Sequence, residues 1–125
     1  MNNIRLNIWG RVFELNIEYD CYSDEKILQT QRDAINSFVN NQNIIQDCLN
    51  DVKQYCQNRN TEKTELKDIE NIFKFVVPKY IYIKRNEEKR IVALMCNYKF
   101  DIENGIAIVF ENEKLKDIGI QDIIL

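Results

Sequence analysis

The feature that most constrains the fold is the hydrophobic period, which is two at both ends of the chain and helical in the middle. Residues 3–9 and 11–20 alternate apolar and polar side chains on either side of Gly10, a pattern typical of a β-hairpin with one wet face. Apolar residues then recur at helical spacing over 27–39 and 44–56. Each of these runs predicts an amphipathic helix whose apolar side packs in the core.

The helical region has a predicted start and a predicted stop. Ser23 or Asp24 is expected to cap the first helix, because either side chain can accept hydrogen bonds from free backbone amides. A third, shorter helical pattern begins at Thr64. Pro78 is expected to end it, since proline disfavours helix at the residue before it.

Beyond Pro78 the period returns to two. Residues 80–85, 90–98 and 105–111 predict three strands, and residues 116–125 predict a last short strand or turn. The second and third of these runs are apolar at both parities, as in central strands that are covered on both faces. The predicted fold is therefore α+β, a single domain over 1–125. It has an antiparallel sheet of about five strands in the order ββ–ααα–βββ, with helices packed on one face.

Composition excludes several classes of function. The chain has 125 residues, a net charge of −3 and no basic stripe, so nucleic-acid binding is not expected. It has no histidine, which removes the commonest general base and metal ligand, so we expect neither catalysis nor a cofactor or metal. No apolar run approaches the roughly 20 residues that span a bilayer, and no signal peptide is predicted. Four widely spaced cysteines predict reduced thiols and a cytoplasmic location.

The segment KFDIENGIAIVFENE, residues 99–113, is the strongest candidate for chemistry. Read as a calcium loop from Asp101, it places Gly105 one residue early and Glu113 one residue late, and strands flank it instead of helices. A hairpin turn with glycine at a positive φ fits better. A catalytic pair of carboxylates remains an alternative, although sequence cannot place two acids in one pocket.

The same region also predicts a docking surface. Six acids against two lysines between residues 101 and 122 give a local balance of −4, which suits a basic protein partner. Tyr80 and Tyr82 share one face of a predicted strand, and aromatic residues are enriched in interfaces. The predicted partner-binding residues are Asp101, Glu103, Glu111, Glu113, Asp117, Tyr80 and Tyr82.

Several stretches resemble a family of small, uncharacterised bacterial domains of unknown function. They are Trp9 to Leu15, Tyr19–Asp20, Ile72 to Lys79, Asn97 to Phe110 and Ile118 to Ile123. The resemblance covers nearly the whole chain and implies an α+β domain. It also implies a protein of the kind encoded beside secreted polymorphic toxins, where such domains look like immunity proteins.

The leading functional hypothesis is therefore a non-catalytic protein-binding module, an immunity protein that neutralises a basic bacterial toxin domain by direct binding. Two alternatives stay open. One is a small enzyme that uses carboxylates, with or without a divalent cation, at Asp101, Glu103 and Glu111. The other is a homo-oligomeric scaffold in which the doubly apolar strands meet across a symmetric interface.

Overall fold

A computed structural model describes residues 2–125, and in that range the backbone forms one six-stranded sheet whose strands lie side by side in chain order. The strands are β1 (Asn3–Ile8), β2 (Arg11–Tyr19), β3 (Val76–Ile83), β4 (Ile91–Tyr98), β5 (Ile106–Glu111) and β6 (Lys114–Gly119). The helices α1 (Gln29–Asn40), α2 (Asn43–Asp47) and α3 (Leu49–Arg59) lie between β2 and β3. The α+β class is confirmed.

The prediction of an antiparallel sheet of about five strands is only partly correct. The sheet has six strands within the described residues, and β2 pairs with β3 in parallel, while the other neighbours are antiparallel. A parallel neighbour requires a long crossover, usually helical, and the three helices supply it. Hydrophobic period locates a strand but does not reveal its direction relative to its neighbour, so the sequence did not indicate this pairing.

The boundaries of the helical region also differ from the prediction. The first helix begins at Gln29, beyond the expected caps, and the expected third helix is replaced by two 3-10 turns, Thr64–Leu66 and Ile72–Lys74. Pro78 lies inside β3, where the register with β4 shifts between Pro78 and Tyr80. Such an irregularity lets a strand tolerate a residue that has no N–H to donate.

The two faces of the sheet are covered differently. Helices α1 to α3 pack on one face, where they bury a continuous core that includes Phe38, Val52, Leu94 and Phe110. The opposite face, called here the helix-free face, carries a smaller apolar cluster. It comprises Tyr80, Tyr82, Ile91, Ala93, Met95, Ala107, Val109 and Ile124. Strands β4 and β5 are therefore buried on both sides, as their apolar residues at both parities predict.

Candidate functional site

The loop between β4 and β5 is a hydrogen-bonded turn centred on Asp101. Its carboxylate accepts the backbone N–H of Asn104 on Oδ1 (3.1 Å) and the side-chain amide of Asn104 on Oδ2 (2.9 Å). The Gly105 N–H donates to the Asp101 carbonyl (2.9 Å). Both carboxylate oxygens thus accept hydrogen bonds from within the loop, one from backbone and one from a side chain, which fits the hairpin-turn role that the sequence favours.

Asp101 is held from the other side by α3. Its carboxylate forms an ion pair with Arg59, whose guanidinium also lies 5.2 Å from the centre of the Tyr98 ring. The hydrogen bonds from Asn104, followed by the charge of Arg59, hold the pKa of Asp101 below its usual range. A carboxylate with these partners is a stable anion that ties the loop to the helix, and it is poorly suited to proton transfer.

Gly105 fixes the approach of this loop to the sheet. Its φ is +56°, and a Cβ placed on it would lie 2.5 Å from the Cys96 carbonyl oxygen. Gln121 donates its side-chain amide to the same carbonyl (3.2 Å) and its backbone N–H to the Asn104 carbonyl (3.0 Å). The turn therefore also anchors the C-terminal segment.

Two further predicted acids lie at the opposite end of β5. Glu111 pairs with Lys89 (3.2 Å), and Glu113 forms a two-pronged bridge to Arg90, with N–O distances of 2.9 and 3.0 Å. Asn112 and Glu113 have φ values of 49° and 62°, so they form a two-residue turn of the kind that suits a twisted hairpin. Like Asp101, Glu113 is engaged within the protein.

The predicted acidic surface is therefore not one surface. Asp101 and Glu113 flank a six-residue strand, which separates them by roughly 17 Å. Glu103 is exposed in the β4–β5 loop, and Asp117 lies opposite Val109 on the edge strand β6. Across residues 2–125 no group of three or more Cys, Asp or Glu side chains is arranged to hold a metal ion.

The two predicted tyrosines lie on the helix-free face, as their alternation indicates. Tyr80 is opposite Met95 and Tyr82 is opposite Ala93 in the β3–β4 register. Both rings are half-buried and pack against the cluster that comprises Ala93, Met95, Ala107, Val109 and Ile124. Burial and the neighbouring charge of Asp20 raise the pKa of Tyr82 to about 12.

Exposed acids that the sequence did not single out border the same tyrosines. Glu18 on β2 is in register with Tyr82. Glu14 lies four residues earlier on β2 and therefore on the same face of the strand. In the described part of the chain, Glu14, Glu18 and Asp117 are all exposed and make no salt bridge. The alternation of β2 places both glutamates on its wet face. Only the parallel β2–β3 pairing shows that this face adjoins the tyrosines.

Three of the four cysteines are packing residues of the core. Cys48, Cys56 and Cys96 are buried, Cys21 is partly exposed, and all four are free thiols. Burial, followed by the charge of Asp51, raises the pKa of Cys48 to about 12. Burial also raises the pKa of Cys56 to about 11. Thiols with pKa values this high are poor nucleophiles near neutral pH.

Fold and surface together define a small α+β domain with helices on one face of a mixed sheet and an apolar, acid-bordered patch on the other. The chain belongs to the family described as a domain of unknown function (DUF6985), whose model matches residues 2–125. No curated protein and no solved structure matches the chain. Among the described helices, none has the length and apolar character needed to cross a membrane.

Proposed function

We propose that this protein is a non-catalytic binding module that neutralises a basic protein partner by direct contact, as an immunity protein does with a bacterial toxin domain. The observation that carries the proposal is the helix-free face. It combines two half-buried tyrosines with exposed acids that make no salt bridge within the described residues.

The tyrosines have the properties of interface anchors. Each presents a large ring whose orientation is already restricted by Met95, Ala93 and Ile124, so little side-chain entropy remains to be lost on binding. Tyrosine is enriched among the residues that dominate binding energy, especially near the centre of an apolar patch. Tyr80 and Tyr82 are therefore the expected centre of the contact.

The acids give the surface its preference for a basic partner. Glu14 and Glu18 lie on the β2 side of the tyrosines, while Asp117 lies on β6 across the sheet. Unpaired carboxylates at the border of an apolar patch attract a basic surface and discriminate against acidic ones. In the proposed contact surface, these three acids take the place of Asp101 and Glu113, whose carboxylates are already paired with arginines.

The proposal includes a cytoplasmic location, which the four free thiols support because exported proteins generally oxidise their cysteines. In that location, this protein would bind the toxin domain inside the cell that makes both proteins. Binding that covers the toxin's active site would be sufficient, and no chemistry by this chain is required.

Co-expression with the protein encoded immediately upstream tests the proposal. We expect that protein to stop growth alone and to be tolerated when this chain is present. Tyr82→Ala and Glu18→Lys should each reduce protection, whereas Glu70→Lys, an exposed acid outside that face, should not. Circular dichroism of each variant serves as the control for correct folding. An upstream protein that is harmless alone, or toxic regardless of this chain, contradicts the proposal.

A further inference from the structure

The two edge strands of the sheet differ in how their outward backbone groups are hydrogen-bonded. At β1, the side chain of Gln46 makes the hydrogen bonds that a neighbouring strand would make. Its Oε1 accepts the Trp9 N–H (2.8 Å) and its Nε2 donates to the Asn7 carbonyl (2.6 Å). These are backbone groups that point away from β2, so a single amide side chain from α2 closes this end of the edge.

At the β6 edge, no side-chain amide from residues 2–125 takes this role. Glu111 and Lys114 close a two-residue hairpin, so alternation directs the backbone N–H and carbonyl of Leu115 away from β5. The Ile118 N–H is also directed outward, and it donates to the carboxylate of its own neighbour Asp117 (2.9 Å). A carbonyl from another strand can replace this exposed carboxylate as the acceptor of the Ile118 N–H.

A groove runs beside this edge, between β6 and the helices. It consists of two depressions of about 280 and 340 Å³ that share Asp51 and Leu115 as lining residues. Ile44 and Cys48 line one depression, and Tyr55 lines the other. The groove can therefore receive side chains from an extended segment that lies along β6.

The helical wall of the groove is acidic. Asp47 and Asp51 are exposed, and within residues 2–125 neither makes a salt bridge. Lys114 and Lys116 line the opposite side of the groove, on β6 itself, so the attraction for a cation is strongest along the wall formed by the helices. A segment whose groove-facing side chains include lysine or arginine complements this wall.

We infer that β6 and this groove bind an extended, basic segment of the protein partner as an added strand. One row of its side chains faces Asp47 and Asp51, and the other row continues the helix-free face beyond Asp117. Backbone hydrogen bonds to Leu115 and Ile118 supply affinity, and the groove supplies selectivity. The inference rests on the proposed function in that it requires a protein partner, and it specifies how that partner is engaged.

The test uses a capped peptide of alternating lysine and valine, titrated into the ¹⁵N-labelled protein. We expect amide shifts at Leu115, Ile118 and Asp51, and no comparable shifts for a peptide of alternating glutamate and valine. Shifts that instead centre on Arg5 of β1, or no saturable shifts with either peptide, overturn the inference. The peptide replaces the toxin here, so this result is independent of the growth assay.

Matched variants separate backbone pairing from charge. Leu115→Pro removes an outward N–H at β6 and should weaken peptide binding about fivefold, the value of one hydrogen bond. Arg5→Pro removes an outward N–H at β1 and should leave binding unchanged. Asp51→Lys should weaken binding about five- to tenfold and gives a second result if the proline variant does not fold. Equal affinity of the wild type and Asp51→Lys contradicts the inference.

Discussion

Replacing Gly105 with alanine tests whether the acidic segment is a structural turn. Gly105 has φ +56°, and its hypothetical Cβ lies 2.5 Å from the Cys96 carbonyl oxygen and 2.7 Å from Nε2 of Gln121. Real Cβ atoms do not approach backbone oxygen so closely. The variant must therefore move the loop, or displace Gln121, or both.

The expected cost follows from three contributions. Holding alanine in the left-handed region costs about 1–2 kcal/mol. Loss of the Gln121 hydrogen bond to Cys96 costs about 1 kcal/mol. Moving the loop to remove the clash between the new Cβ and the Cys96 carbonyl costs a further amount of about 1 kcal/mol or more. The sum is about 3–4 kcal/mol. For a domain of this size it lowers the melting temperature by roughly 10–15 °C.

Urea unfolding followed by far-ultraviolet circular dichroism measures this difference. Gly10→Ala is the matched control, because Gly10 also has a positive φ (+87°) but a Cβ there meets nothing within 4 Å. We expect the control to lose only the backbone contribution, about 1–2 kcal/mol. A Gly105→Ala variant no less stable than Gly10→Ala would refute the structural interpretation of the loop.

Three further predictions concern charge and strand edges. Asp101→Asn should be less stable than the wild type at pH 7. The low folded pKa of Asp101 contributes stability above the usual aspartate pKa, so the difference should shrink as pH falls below about 4, and a constant difference argues against the ion pair. The folded pKa of Tyr82 is raised to about 12, so the wild type gains stability from this group below the ordinary tyrosine pKa and loses that gain as the pH rises from 10 to 12. Tyr82→Phe should therefore lose less stability than the wild type over this range. Identical stability curves for the two proteins at alkaline pH would contradict this prediction. Gln46→Ala should destabilise the protein by about 1–2 kcal/mol and increase concentration-dependent association by light scattering, since it uncovers backbone at Trp9. Association equal to that of the wild type would count against edge closure.

The strands were predictable because their periods are strong and local. The hairpin over β1 and β2 appears at the expected residues, and the apolar residues at both parities in β4 correctly indicate two covered faces. The loss of the helix expected from Thr64 was not predictable. The apolar residues of this segment fit a helical spacing, but 3-10 turns bury Leu66 and Ile72 equally well, and β3 begins before Pro78.

The candidate site was only partly predictable for a different reason. Sequence shows that Asp101 and Glu113 are acids but not that arginines from α3 and the β3–β4 loop reach them. The pairing of Glu18 with the tyrosine face depends on a contact between strands more than sixty residues apart in the chain. Alternation identifies the exposed face of each strand, and tertiary structure decides which exposed faces adjoin.

The most direct measurement is isothermal titration calorimetry of this protein against the purified product of the gene immediately upstream, which the proposed function expects to be a toxin. We expect saturable binding that weakens as salt is raised, because the acids bordering the tyrosines act through charge. Tyr82→Ala and Glu18→Lys should each bind at least about tenfold more weakly, a loss of about 1.4 kcal/mol, while Glu70→Lys should bind as the wild type does. Absence of binding, or equal affinity for all three variants, would contradict a partner-binding role for the helix-free face.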